Sequence, residues 1–113
     1  MNKSTLNDYP CASHNNYNLF FSNLANSLKI KIILTLRKKE MGVSEIVTEL
    51  KVEQSKISHA LKSLKDCNIV TMNQKGKERI YSLNKDTIVP MFALIDKHAF
   101  TYCKNKCCQN NTK

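Results

Sequence analysis

Apolar residues recur along this chain at the spacing of amphipathic helices, interrupted once by a pattern typical of strands. Residues at i, i+3, i+4 and i+7 share one helical face and can be buried together. The segments that follow this spacing are Tyr17 to Leu24, Asn26 or Ser27 to Arg37-Lys38-Lys39, a third after Ser44, a fourth through Ile57, Leu61 and Leu64, and a fifth from Asp86 or Thr87. Asn26 and Ser44 are predicted N-caps, with Met41-Gly42 as the turn between the second and third helices.

Strands are predicted after the fourth helix. Ile69, Val70 and Met72 precede the turn Lys75-Gly76-Lys77, and apolar residues resume at Ile80. Gly76 supplies the freedom in φ that a tight turn needs. The chain is therefore predicted to be mostly α with a β-hairpin wing, a winged helix-turn-helix of about five helices plus a two-stranded wing.

The exposed face of the fourth helix carries the candidate chemistry. Short polar side chains can reach base edges in the major groove, while cations neutralise phosphates. The predicted base contacts are Gln54, Ser55, Ser58 and His59, and the predicted phosphate contacts are Lys56, Lys62, Lys75, Lys77 and Arg79. A solvated helix face without a ligand is the alternative for the helix alone, and the adjoining basic hairpin favours DNA.

Composition restricts the protein class. The 113 residues suffice for one domain with a modest core, and 18 Lys and Arg against 9 Asp and Glu give a formal charge of +9. Over half of this charge lies between Lys51 and Lys85, where basic residues outnumber acidic ones by five. Such an excess favours a polyanionic partner, here double-stranded DNA. A signal sequence and a run of roughly 20 apolar residues are both missing, so we expect a cytoplasmic protein without a membrane partner.

The order of these motifs resembles the ArsR/SmtB family of winged-helix repressors. The resemblance rests on the pattern Leu-x-Val-x-x-Ser-x-Ile-Ser-His-x-Leu-x-x-Leu from Leu50 to Leu64, followed by Ile-Tyr-x-Leu from Ile80 to Leu83. It extends upstream through Phe21-Ser22-Asn23-Leu24-Ala25 to a helix in which Lys29 stands where the family usually has Arg. It implies a homodimer that binds a palindromic operator and is released by an inducer, commonly a metal ion. An enzyme is not expected, because the sequence has no Gly-rich phosphate loop, no Cys-x-x-Cys and no convergent carboxylate pair.

Two metal sites of that family are not supported by the residues at the matching positions. Where the family has Cys-Val-Cys on the third helix, this chain has Gly42-Val43-Ser44. The zinc site on the last helix would fall on Lys85, Thr87, His98 and Thr101, of which only His98 matches. A lone His on a helix is more often a polar interface residue than a metal ligand, and we expect the same of His98.

The remaining inducer candidate is the C-terminal run of cysteines. Thiolate sulfur selects soft ions such as Cu(I) or Zn(II), and three thiols also suit trivalent arsenic. The predicted set is Cys103, Cys107 and Cys108, with Cys11 as a further ligand across a dimer. A reactive terminus without a sensing role is the alternative, and the fifth cysteine, Cys67, is assigned a structural role as a small apolar residue.

The last helix also carries an apolar stripe that no further domain is present to cover. Dimerisation through this helix and the first helix is the economical interpretation, with core packing as the alternative. The predicted interface residues are Phe20, Ile88, Phe92, Ile95, Ala99 and Tyr102. The chain divides into a mobile arm (1–16), a DNA-binding and dimerisation domain (17–107) and a tail (108–113). The alternative function is a constitutive regulator, or a sequence-tolerant architectural protein, without an inducer.

Overall fold

The computed structural model describes residues 14–102, and their side chains from residue 17 onward. Its elements are α1 (His14–Ala25), α2 (Ser27–Leu36), β1 (Met41–Gly42), α3 (Val43–Leu50), α4 (Gln54–Asp66), β2 (Val70–Lys75), β3 (Glu78–Leu83) and α5 (Ile88–Tyr102). The predicted winged helix-turn-helix is confirmed. Helix α1 begins inside the predicted arm, and the arm's remainder, with the predicted tail, lies outside the described residues.

Asn26 is the N-cap of α2, as predicted. Its side-chain Oδ1 accepts a hydrogen bond from the Lys29 backbone N–H at 2.9 Å, which satisfies one of the amides left without a partner at the start of the helix. The helix ends at Leu36, and Arg37 follows it as the C-cap. Ile32, Ile33 and Leu36 are buried, so this short helix contributes its whole inner face to the core.

The predicted start of α3 was wrong. Gly42, rather than Ser44, is the N-cap, and the Glu45 carboxylate accepts the Gly42 backbone N–H at 3.3 Å. Met41-Gly42 forms a short strand instead of a simple turn, because it lies antiparallel to β3 with Met41 opposite Tyr81. The two-stranded wing therefore gains a third strand, in the order β1-β3-β2.

The wing is a tight hairpin between β2 and β3. Val70 pairs with Leu83 at its base and Lys75 with Glu78 at its tip. Gly76 has a φ of +62°, which is the left-handed conformation that glycine adopts without strain. The predicted turn at Gly76 is thus confirmed, and it fixes which side chains share a face of the wing.

One apolar core joins these elements. Its fully buried members include Ile46 of α3, Ile57, Leu61 and Leu64 of α4, and Ile69 just before β2. Val47 and Leu50 of α3 are half-buried against this core. Burial of a Leu or Ile side chain contributes about 1.5–3 kcal/mol, so this core holds α4 by its inner face and leaves the outer face free.

Helix α5 closes the core from the C-terminal side. It begins at Ile88, directly after the predicted cap position Thr87, and Pro90 lies in its first turn, where the ring is tolerated. Within the described residues no individual helix has the length and apolar character to cross a membrane; only α1 from Tyr17 and α2 taken together do, across an 80° bend.

Candidate nucleic-acid interface

Helix α4 is fixed by its connection to α3 and by its apolar face. Lys51 follows α3 as its C-cap in the left-handed conformation, with a φ of +57°. The backbone carbonyl of Glu53 then accepts hydrogen bonds from the backbone N–H groups of Lys56 and Ile57, at 3.1 Å each. The short turn sets the angle between the two helices, as a helix-turn-helix requires. Because Ile57 and Leu61 are fully buried, the side of α4 that faces the core is determined.

One flank of α4 faces the wing. Gln54, Ser58 and Lys62, spaced four residues apart, line a groove whose opposite wall is formed by the wing residues Arg79 and Tyr81. Lys77 at the hairpin turn lines the same groove. Two of the predicted base contacts and three of the predicted phosphate contacts therefore meet on one side of α4.

The other flank of α4 faces the N-terminal end of α2. Ser55, Lys56 and His59 line a second, shallower groove together with Asn26 and Lys29. The four predicted base contacts are exposed, but they are divided between two flanks rather than aligned in one row. A duplex lying across the exposed face of α4 would meet Gln54 and Ser58 on the wing side and Ser55 and His59 on the other.

The two faces of the wing carry different side chains. Side chains alternate along a strand, so Met72 and Gln74 of β2 share a face with Arg79 and Tyr81 of β3, and this is the face toward α4. Lys75 belongs to the opposite face by the same alternation. Three of the predicted phosphate contacts are on the wing, and the structure brings two of them, Lys77 and Arg79, to the groove beside α4.

Lys75 is instead engaged with an acidic residue. Its ammonium lies 2.6 Å from the Glu40 carboxylate, just before β1. The Lys75 hydrogen bond, together with the charge of Lys75, lowers the pKa of Glu40 below its ordinary value. This exposed pair partly offsets the charge of Lys75.

Two other predicted contacts have partners on α4 itself or directly before it. The Lys62 ammonium lies 3.3 Å from the Asp66 carboxylate one turn later, and Ser55 donates to the Glu53 carboxylate at 3.0 Å. Exposed ion pairs of this kind contribute about 0–1 kcal/mol, so a phosphate can compete for Lys62. Both side chains stay accessible to a polyanion.

Helix α5 is fastened to the end of α2 by Arg37. The guanidinium donates to both oxygens of Asp96, with the shorter contact at 2.6 Å, and lies 5.5 Å from the centre of the Phe92 ring. The hydrogen bond from Arg37 lowers the pKa of the Asp96 carboxyl. Polar and cation–π contacts therefore set the direction in which α5 leaves the core.

We expect the carboxyl of Asp96 to titrate below the ordinary pKa of aspartate. The stabilising effect of this pair is fully present above that ordinary pKa and is lost as the pH falls through the lowered one. An NMR titration of the Asp96 carboxyl in the wild type and in Arg37→Gln measures this, and the variant should return the pKa toward its ordinary value. Lys38→Gln is the control, because Lys38 pairs with Glu49 instead. An unchanged pKa in Arg37→Gln would show that Arg37 is not the cause.

The residues predicted for a dimer interface differ in burial. Ile88 and Phe92 are only 2% and 5% exposed and belong to the core of their own protomer. Phe20 and Ala99 are half-buried, whereas Ile95 and Tyr102 are 46% and 76% exposed. Further apolar side chains of α1 and α5 are also exposed, namely Tyr17, Leu19, Phe21, Val89, Leu94 and Phe100.

The predicted thiol site falls outside the described residues, since Cys11, Cys103, Cys107 and Cys108 all lie there. Within residues 14–102 no three His, Cys, Asp or Glu side chains are placed to hold a metal ion. The His98 and Tyr102 rings lie 5.0 Å apart, with their planes tilted by 39°. Cys67 is half-buried against the core, and its sulfur accepts a hydrogen bond from the Asn23 amide at 3.0 Å.

Sequence reasoning missed the polar contacts between helices. Hydrogen bonds join Asn23 of α1, Lys29 of α2 and Ser63 of α4. Apolar spacing predicted the three helices, but it does not indicate polar contacts between them. The unusual Lys29 was the signal that pointed to this region. The Arg37–Asp96 pair was missed for a similar reason, because its partners are 59 residues apart.

Comparison with known proteins agrees with this geometry. Residues 26–72 match the family model described as "Bacterial regulatory protein, arsR family". A protein named Transcriptional repressor SmtB homolog, from Synechocystis sp., is 27% identical over 79 residues, which are 70% of this chain and 60% of that protein. The HTH-type transcriptional repressor SmtB of Mycobacterium tuberculosis is 40% identical over 60 residues, 53% of this chain and 44% of that protein. The chain thus spans 44–60% of the length of these relatives.

A solved structure shares the fold. It is the homodimeric winged helix-turn-helix DNA-binding domain (fragment 1-100) of a possible ArsR-family transcriptional regulator from Mycobacterium bovis. The TM-score is 0.72 at 22% identity, over 80% of this chain and 84% of that one. The family consists of regulatory proteins, in agreement with the expectation that the chain is not an enzyme. Residues 26–72 therefore match the arsR family of bacterial regulatory proteins, and the chain around this segment has the winged helix-turn-helix fold.

Proposed function

We propose that this chain is a transcriptional repressor that binds double-stranded DNA sequence-specifically, as a homodimer on a palindromic operator. The observation that carries the proposal is the placement of α4, whose inner face is fully buried while its polar outer face adjoins a basic wing. Two similar proteins are named as repressors, which supports repression of transcription over activation. Together the helix and the wing supply base reading and phosphate binding at one site.

Base reading is assigned to the four short polar side chains of α4. Gln54 can pair with both the N6 and N7 groups of adenine, while a serine hydroxyl can donate or accept. Gln54 and Ser58 act on the wing side, and Ser55 and His59 act on the side of α2. Lys56 and Lys62 hold phosphates at the two edges of the helix.

Phosphate binding by the wing is assigned chiefly to Arg79 and Lys77. Both line the groove beside α4, and the planar guanidinium of Arg79 can donate two hydrogen bonds to one phosphate. Lys75 is assigned a smaller share, because it lies on the far face and is paired with Glu40. This ranking follows from strand register and was not available from charge alone.

Arg79→Ala is expected to weaken binding to every DNA sequence. It should also lower the slope of log K against log salt concentration by about one, which corresponds to one phosphate contact. Lys75→Ala removes the same formal charge from the same hairpin and should change both quantities less. Affinities of the two variants for one duplex, measured across a series of salt concentrations, give the comparison. Equal salt slopes for the two variants would be evidence against the assignment of the two faces.

The exposed apolar residues of α1 and α5 support a homodimer. Phe21, Leu94, Phe100 and Tyr102 are each more than half exposed in the single chain. Large apolar side chains exposed on these two helices are available for an interaction surface. The homodimeric M. bovis domain has the same fold. A two-fold dimer would set two copies of α4 about one turn of DNA, roughly 34 Å, apart.

Control by an inducer is proposed at the thiols of Cys103, Cys107 and Cys108, with Cys11. A soft ion that favours a dimer arrangement unlike the DNA-bound one would lower operator affinity by its differential binding. Titration of the reduced protein on DNA with arsenite, Cu(I) or Zn(II) should therefore release it. The double variant Cys107→Ser/Cys108→Ser should resist release, and Cys67→Ser serves as the control. Equal release from the wild type and the double variant would eliminate the tail as the sensor.

Selection from a pool of randomised duplexes tests the proposed function. The wild-type protein should enrich a sequence with two-fold symmetry and half-sites separated by about one helical turn. That symmetry would reflect the dimer, and the enriched bases would reflect α4. If no sequence is enriched while binding persists, the protein is a sequence-tolerant DNA-binding protein instead.

A further inference from the structure

A cluster of polar side chains joins three helices beneath the DNA-reading face. The Lys29 ammonium donates to Asn23 Oδ1 at 2.8 Å and to Ser63 Oγ at 3.0 Å. The Ser63 hydroxyl in turn donates to Asn23 Oδ1 at 3.0 Å, which closes a triangle of hydrogen bonds. The Asn23 amide donates to Cys67 Sγ at 3.0 Å, directly after the end of α4. We call these four side chains the Asn23 cluster.

The cluster is partly buried and internally satisfied. Asn23 is only 2% exposed, and Lys29, Ser63 and Cys67 are half-buried. Among the described side chains, no buried nitrogen or oxygen lacks a hydrogen-bond partner. Removing one partner of a hydrogen bond costs much more free energy when the remaining group has little access to water than when the pair is exposed. Each member therefore depends on the geometry of the others.

Other contacts of α4 do not provide the same directional restraint. Ile57, Ala60, Leu61 and Leu64 are held by apolar burial, which is non-directional and tolerates small shifts of a helix. Hydrogen bonds require both a distance and an angle. The bond to Ser63 lies within α4 and the one to Cys67 lies at its end, so the two fix the helix at points four residues apart. That spacing places both on the same flank.

The Asn23 cluster also connects α4 to a proposed dimer element. Asn23 belongs to α1, whose outer residues Tyr17, Leu19 and Phe21 are more than half exposed. Asn23 and Ser63 are 40 residues apart in sequence, and their contact bridges α1 and α4 directly. A displacement of α1 in the dimer would therefore reach α4 through a directional contact.

We propose that Asn23, Lys29 and Ser63 are positioning residues that fix α4 relative to α1, so that the geometry of the dimer determines how accurately α4 reads bases. The proposal rests on the proposed DNA-binding function. We assign these three side chains no base contact of their own. They act by holding Gln54, Ser58 and their neighbours in register with the groove of the DNA.

Ser63→Ala tests the proposal with a small structural change. The DNA probes are the duplex selected by the wild-type protein and a shuffled duplex of equal length. Loss of the positioning bond should lower affinity for the selected duplex by about tenfold, the upper range for one hydrogen bond. Affinity for the shuffled duplex should stay within about twofold, because nonspecific binding depends on cations that are unchanged. Ser63→Thr, which keeps the hydroxyl, should restore the preference.

Two further variants separate positioning from general destabilisation. Ser82→Ala removes a comparable hydroxyl, hydrogen-bonded at 3.1 Å to Thr71 on the wing, and should leave the ratio of the two affinities unchanged. Cys67→Ala removes the acceptor of the Asn23 amide and should lower the ratio, as Ser63→Ala does. The proposal is overturned if Ser63→Ala keeps the wild-type ratio, or if Ser82→Ala lowers it equally. A wild-type protein that selects no sequence overturns the proposed function itself.

Discussion

Ile95→Asp is expected to weaken the homodimer by at least about 3 kcal/mol, or roughly a hundredfold in its dissociation constant. Ile95 lies on α5 and is 46% exposed in the single chain, whereas the neighbouring stripe residues Ile88 and Phe92 are already buried in the core. The substitution should therefore leave the fold of the protomer intact. In a dimer it would place an unpaired carboxylate in an apolar interface, which is costly. Analytical ultracentrifugation over a range of protein concentrations measures the change.

The same variant should lose most of its affinity for an operator with two half-sites, since each protomer would bind separately. Thr48→Asp is the control, because it adds the same charge to an exposed polar position of α3 and leaves α1 and α5 unchanged. Dissociation of the control to the same extent as Ile95→Asp would indicate a general charge effect. A wild-type chain that is monomeric at every concentration, even on operator DNA, would refute the dimer.

Gln54→Ala and Ser58→Ala are expected to relax sequence preference, each by about 1–3 kcal/mol for every base that the variant no longer recognises. Both side chains are exposed on the wing side of α4 and line the groove that Arg79 borders. Neither contributes to the buried core, so the free energy of unfolding should change little. Competition between the selected duplex and single-base variants of it shows at which position discrimination falls.

Asn73→Ala is the control for these two substitutions. Asn73 is an exposed polar residue of β2, and strand alternation places it with Lys75 on the wing face away from α4. Its removal should leave the order of preference among base variants unchanged. If Asn73→Ala altered that order while Gln54→Ala did not, base reading would belong to the wing instead of α4.

The helices were predictable because each buries a continuous face. Ile57, Leu61 and Leu64 repeat at helical spacing, and all three are fully buried. Periodicity alone therefore indicated which face of α4 is turned to the core. The cap at Asn26 was predictable from residue type, since its side chain needs only the amide of Lys29 three residues later. Such features depend on local chemistry, which the sequence contains.

Features that depend on distant partners were not predictable. Met41-Gly42 forms a strand only because Ile80 and Tyr81 lie beside it, 38 to 40 residues away in the register of the sheet. The cap at Ser44 was wrong for the same reason, because this pairing places Gly42 in extended backbone at the start of α3. Asn23, predicted only as part of an amphipathic helix, is buried because Lys29 and Ser63 satisfy it.

Lys75 shows an intermediate case. A phosphate contact was predicted from its charge and from its position beside the turn at Gly76. The structure has the turn where it was predicted. The hairpin register, together with strand alternation, then separates it from Arg79, and Glu40 engages it from outside the hairpin. Charge counting gives the sign of the partner, but the register decides which cation can reach it.

The most direct measurement of the central claim is the ratio of two affinities for the wild-type chain, one for its selected duplex and one for a shuffled duplex at the same salt concentration. Reading of bases by α4 predicts a ratio of about a thousand or more, since specific DNA-binding proteins typically reach this range. The salt slopes for the two duplexes would report the phosphate contacts separately. A ratio near one would contradict sequence-specific recognition and leave only binding by charge.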